Sequence, residues 1–156
     1  MKVVLTGTTG FAGREVLNQY LQNPSITSIV VLSRCELPAH DKLKVVVLED
    51  FTSYPDFVRE AVQGADACIW TLGITGAKAP DDETAHVSID YTIAAARFFY
   101  ETCKKPFRFV YCSGTAAERD QKKPLWFMQI FRRIRGQVEI ELLAFADEHS
   151  GFKLLL

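Results

Sequence analysis

The sequence predicts an α/β domain built on a doubly wound parallel sheet of about six strands, in the order 3-2-1-4-5-6, with helices on both faces. Three observations predict it. Short runs rich in valine, isoleucine and leucine recur along the 156 residues, and stretches with helical spacing alternate with them. The first run passes straight into a helix through Gly7, Gly10 and Gly13. Such alternation joins parallel strands by right-handed crossovers and leaves a ligand crevice at the strand carboxyl ends, where the strand order reverses.

The elements follow in order. Residues 2–5 are apolar and β-branched enough for a strand buried on both faces. The helix after the glycines carries Val16, Leu17, Tyr20 and Leu21 on one face. Residues 28–32 and 43–48 are the second and third strands, and residues 54–63 form a helix ending at Gly64. A fourth strand spans 67–72. The Gly-, Pro- and Asp-rich stretch 73–82 then reads as a ligand-facing loop. Residues 87–103 have helical spacing and many alanines, and Lys104, Lys105 and Pro106 close that helix with cations at its negative end. Residues 107–112 are the fifth strand. A long helix over 125–148 carries the stripe Phe127, Phe131, Ile134, Val138, Leu142 and Phe145, and 152–156 is a sixth, buried strand.

Bulk properties narrow the function classes. Eighteen basic and nineteen acidic residues leave no nucleic-acid footprint. No apolar run is long enough to span a bilayer, and a strand starting at residue 2 leaves no room for a cleaved leader. A cytoplasmic protein is expected, with a peripheral position on an organelle membrane as the alternative. Cys35, Cys68, Cys103 and Cys112 lack paired metal-site spacing and read as reduced, mostly buried thiols.

The glycine turn has a specific chemistry. Gly7 permits a tight turn, Gly10 lets backbone approach a phosphate, and Gly13 lets the helix pack closely on the sheet. Backbone N–H groups of the turn, Phe11 included, and the positive helix end then face the anion, and Thr8 and Thr9 add hydroxyls. That layout suits the pyrophosphate of a dinucleotide. Its spacing differs from G-x-G-x-x-G, and ordinary loops also contain glycine triplets.

Thr6 to Gly13 matches Thr-Gly-x-x-Gly-x-x-Gly, and over essentially its whole length the chain resembles the short-chain dehydrogenase/reductases, in their extended and atypical forms. Asp90-Tyr91 and Tyr111-Cys112-Ser113-Gly114 are most similar to the small atypical branch of Tat-interacting-protein-type reductases and their fungal relatives. The resemblance implies a nicotinamide dinucleotide cofactor, with Asp50 beside the adenine and Leu72 and Gly73 in the nicotinamide region. It also implies segments beyond the cofactor domain that shape a substrate pocket. With residues 1–156 read as one cofactor-binding domain, the substrate lobe is expected to be missing, shortened or supplied by a partner.

Cofactor choice is argued from the end of the second strand. A carboxylate there would hold the ribose hydroxyls of NAD and repel a 2′-phosphate. This chain has Ser33-Arg34, whose guanidinium suits a phosphate, so NADP is expected and NAD is the alternative. Arg34 also reads as a solvated loop arginine, Glu36 blunts the preference, and Arg14 is a second phosphate candidate. Asp50 equally suits a cap on the segment that follows it.

The resemblance places a catalytic serine at Ser113, and a proton-donating tyrosine and its lysine at Phe131 and Arg135. Phenylalanine has no proton to give; arginine retains reach to a ribose hydroxyl. No tyrosine lies on that helix, and Tyr91, Tyr111 and His86 read as packing or solvent-facing groups. Two function classes follow. One is an NADP-dependent oxidoreductase acting on a carbonyl compound through Ser113 and Arg135; the other is a redox-inactive NADP-binding regulatory or interaction domain. The apolar-then-basic run 124–133 suits either a homodimer or protein contact through the 124–145 helix or, less directly, a membrane surface.

Overall fold

The computed structural model describes residues 1–74 and 80–156. Its strands are β1 (Lys2–Thr6), β2 (Ser28–Ser33), β3 (Leu43–Val47), β4 (Ala67–Trp70), β5 (Phe107–Tyr111) and β6 (Phe152–Leu155). They form one sheet in the order β3-β2-β1-β4-β5-β6, and every neighbouring pair is parallel. The expected order is therefore the observed one. β1 lies in the middle because Val3, Val4 and Leu5 have no polar group to lose on burial, and all three are fully buried.

The helices are α1 (Phe11–Gln22), α2 (Asp56–Val62), α3 (Asp81–Ala85), α4 (Tyr91–Thr102) and α5 (Gln129–Glu148), with a π-helical turn at His86–Asp90. Alternate strand residues feed two apolar layers. Val3, Leu5, Ile29 and Val31 pack with Leu17 of α1 on one face. Val4, Val30, Trp70, Phe107 and Phe109 pack with α2, α4 and α5 on the other, which holds most of the core. Trp70, fully buried on β4, donates its indole N–H to Thr92 Oγ1 at 2.8 Å.

The two faces are unequally covered. On the α1 side, Arg108 of β5 and Lys153 of β6 are neighbours in register and both are exposed, while Leu155 is 50% exposed. The sixth strand is thus an edge strand of which only Phe152 is buried, not the fully buried strand expected. The reason is local: residues 34–42 link β2 to β3 without a helix, so α1 is the one helix on this face among the described residues, joined only by Ile26 and Leu37 from the connecting segments.

Two helix starts also differ. The helix expected from residue 87 begins at Asp81, because Asp81, Asp82 and Glu83 favour a helix start through the dipole although they show no apolar period. Residues 75–79 of the expected 73–82 loop lie outside the described residues. Residues 125–128 are not helical: Met128 takes a left-handed conformation with φ 47°, and α5 starts after it. Phe127 therefore leaves the stripe and is exposed, with Trp126, Met128 and Ile130. Among the four free thiols, Cys68 and Cys103 are buried while Cys35 and Cys112 are exposed, so burial holds for half of them. No helix among the described residues is long and apolar enough to cross a membrane.

Asp66 ties β1 to the start of β4. Its carboxylate accepts the Lys2 backbone N–H at 2.8 Å and the Lys104 ammonium at 3.1 Å, and these bonds hold its pKa below the ordinary value, the backbone bond most. A carboxyl lowered by folding stabilises fully above its unfolded pKa of about 4 and loses that contribution as pH falls through its folded value. Asp66→Asn is expected to lower stability at pH 7 and to flatten its decline below pH 4, read by urea unfolding across pH.

Candidate functional site

The glycine turn closes on itself. Gly7 has φ +68°, and a Cβ there would lie 2.5 Å from Thr71 Oγ1. Gly10 donates its N–H to the Gly7 carbonyl at 2.9 Å, and a Cβ on Gly13 would run into that same carbonyl. Thr71 completes the seat by donating its hydroxyl to the Thr6 carbonyl at 2.7 Å. Gly10 stands at the α1 N-cap with no side chain to satisfy the first-turn N–H groups. Thr8 is 4% exposed, and its hydroxyl has no partner.

A cleft of 580 Å³ opens from this turn toward the ends of β2 and β3. Gly7, Thr8, Thr9, Ser33, Arg34 and Leu72 line it, as do Cys35, Glu49 and Phe51, which sequence reasoning missed. Ser33 Oγ accepts the Cys35 backbone N–H at 3.3 Å, fixing the bend that exposes Arg34. Arg34 has no ion-pair partner among the described residues. Asp50 falls between Glu49 and Phe51 but outside the lining. Its carboxylate accepts the Thr52 N–H at 2.8 Å and the Thr52 hydroxyl at 2.7 Å, which lowers its pKa. Gly10 and the exposed Phe11 also stand outside the lining, and Gly13 is buried beneath the turn.

A second cavity of 160 Å³ shares Arg34, Phe51 and Leu72 with the first and reaches Gly73, Glu83, His86 and Tyr91. His86 Nδ1 lies 2.6 Å from the Asp90 carboxylate. Burial raises the Tyr91 phenol pKa, and the charge of Arg34 draws it partly back.

The segment after β5 and the first half of α5 carry the other predicted residues, on two separate networks. Ser113 donates its hydroxyl in a short bond to Glu139 Oε1, and Arg119 donates to Glu139 Oε2 at 2.6 Å. Arg135 donates to the Tyr111 hydroxyl at 3.0 Å, and its guanidinium lies 5.3 Å from the Phe131 ring centre. Burial is the main cause that raises the Tyr111 phenol pKa, and Arg135 opposes it. Phe131 itself borders a 330 Å³ hollow between α3 and α5, with Asp81, Thr84 and Met128. Glu139 was missed, although a carboxylate next to Val138 and one turn before Leu142 of the apolar stripe is the signal that marks it.

No protein-family model matches the chain. A short-chain dehydrogenase/reductase from Brucella melitensis superposes with a TM-score of 0.77 over 97% of this chain, at 17% identity. This is the fold of the short-chain dehydrogenase/reductases. A second solved structure, MoeE5 in complex with UDP-glucuronic acid and NAD, matches with a TM-score of 0.77 over 99% of this chain at 15% identity. Among curated proteins, "Leucinostatins biosynthesis cluster protein T" of Purpureocillium lilacinum is 35% identical over 116 residues, 72% of this chain. The chain spans 42% of that relative's length, and 68% and 52% of the Brucella and MoeE5 chains.

Proposed function

We propose that the chain binds a nicotinamide dinucleotide, NADP in preference to NAD, as the cofactor domain of a short-chain oxidoreductase acting on a carbonyl compound. The observation that carries this reading is Thr8. A buried hydroxyl without a partner costs about 1–3 kcal/mol, and Thr8 leaves one inside a turn whose helix N-terminus also has no side-chain cap. A pyrophosphate oxygen would satisfy both, since an anion suits unpaired N–H groups at a helix start. The NAD in the MoeE5 complex, on a protein of the same fold, supports a cofactor of this class.

Arg34 is the residue assigned to the 2′-phosphate, with Ser33 holding the bend beneath it. Glu49 on the same cleft opposes that phosphate and would suit the ribose hydroxyls of NAD, so the preference depends on Arg34. A charge-assisted bond of about 1.5–3 kcal/mol sets the expected effect. Arg34→Ala weakens NADPH binding about tenfold or more and leaves NADH unchanged, as read by titrating nucleotide fluorescence. Equal losses for the two nucleotides would remove the phosphate assignment.

The bound dinucleotide would supply a hydride. Ser113 would orient a substrate carbonyl once its hydroxyl turns from Glu139 to that oxygen, Arg135 would reach a ribose hydroxyl, and the proton would come through solvent. A second reading, a redox-inactive binder, rests on Phe131. Loss of a positioned general acid forfeits about 10²- to 10⁴-fold in rate, and phenylalanine donates no proton. Following NADPH oxidation against a panel of aldehydes and ketones separates the two, because turnover by the unmodified protein eliminates the second.

A further inference from the structure

We propose that Arg135 makes this site selective for the reduced cofactor over the oxidised one, so that occupancy follows the redox state of the nicotinamide pool. The inference rests on the dinucleotide reading above and concerns which form is held.

The argument begins with how the guanidinium is seated. A Cβ built on Gly73 would lie 2.6 Å from Arg135 Nη2 and 3.2 Å from Nη1, so the cation packs directly on the backbone that leaves β4. Among the described residues, neutral groups hold it there: the Tyr111 hydroxyl at 3.0 Å and the Phe131 ring at 5.3 Å. Its Nε is buried without a partner, and no carboxylate lies within ion-pairing distance of it among the described residues. Glu139, one helical turn further along α5, is occupied by Ser113 and Arg119. Arg135 therefore carries a seated positive charge that no carboxylate pairs with among the described residues.

Its position gives that charge a consequence. In a doubly wound sheet the two halves of a dinucleotide lie over the two halves of the sheet, on either side of the point where strand order reverses. Arg34 follows β2 in one half; Gly73 follows β4 in the other. With the adenosine end at Arg34, the nicotinamide end comes to Gly73. The oxidised ring bears a positive charge and the reduced ring none, while the rest of the molecule is the same. A cation packed on the Gly73 backbone would therefore discriminate between the two forms by charge alone. Glu83, across the cavity that reaches Gly73, opposes it, but is exposed and hydrated, whereas the arginine is half-buried. Coulomb attraction and repulsion through a partly solvated site at this range correspond to about a three- to tenfold difference in affinity.

The test compares the dissociation constants of NADPH, by its fluorescence, and NADP⁺, by competition, in the unmodified protein, Arg135→Met and Arg135→Lys. Thermal unfolding confirms that each variant is folded. NADPH is expected to bind about three- to tenfold more tightly than NADP⁺. Methionine should bring the ratio to near one, and lysine should keep it because the charge remains. The NADH and NAD⁺ pair should show the same ratio, which separates the effect from the 2′-phosphate. Equal binding of both forms to the unmodified protein, or a ratio that survives in Arg135→Met, overturns the assignment and leaves the dinucleotide site standing. Failure of every nucleotide to bind overturns the site as well.

Discussion

Gly13→Ala is expected to abolish detectable dinucleotide binding and to destabilise the domain by about 1–3 kcal/mol, the usual cost of overpacking a tight contact. The added methyl would meet the Gly7 carbonyl and lie 2.6 Å from Thr71 Oγ1. That carbonyl accepts the Gly10 N–H, so pushing it away opens the turn itself. Helix propensity alone would reward the alanine by about 1 kcal/mol, so the sign of the change is diagnostic. Urea unfolding together with an NADPH titration reads both effects. A variant as stable as its parent that still binds NADPH would mean that the turn relaxes around the methyl group.

Gly136→Ala is expected to cost a similar 1–3 kcal/mol, about as for other overpacked sites, and to loosen the segment after β5. Gly136 is in the middle of α5, where a Cβ would overlap the Glu118 carbonyl of the chain crossing above it. That crossing is pinned by the Glu118 N–H on the Arg132 carbonyl at 2.9 Å and by Glu118 paired with Lys123 at 2.7 Å. Displacing it also pulls Arg119 from Glu139, and so disturbs the partner of Ser113. Unfolding measurements, with the rate of tryptic cleavage after Lys122, test this. Gly114→Ala is the control, since a Cβ at Gly114 meets nothing within 4 Å.

What could be read in advance divides along a physical line. Strands such as Ser28–Ser33 declare themselves because burial on both faces demands an unbroken apolar run, and the sheet order follows from regular alternation. The glycine turn is legible because its geometry is a local backbone requirement. The start of α3 was hidden, because Asp81, Asp82 and Glu83 are chosen by the helix dipole and not by a core. Met128 was hidden too, since nothing in its side chain announces a left-handed backbone. Glu139 pairs with residues 20 and 26 positions away, so its role exists only after the chain has folded. Gly136 has a local spacing that would suit any small residue, and its requirement comes from a distant segment.

The thinly covered side of the sheet has its own safeguard. Arg108 and Lys153 stand abreast on β5 and β6, at the end of the sheet where a further strand could add. Stacking a second sheet on them would force two like charges out of water with no counterion, and a positively charged edge resists recruiting another chain in register. Two side chains outside the ligand cleft thus set the charge of this flank. The same open flank can stay wet without nucleating cross-β assembly.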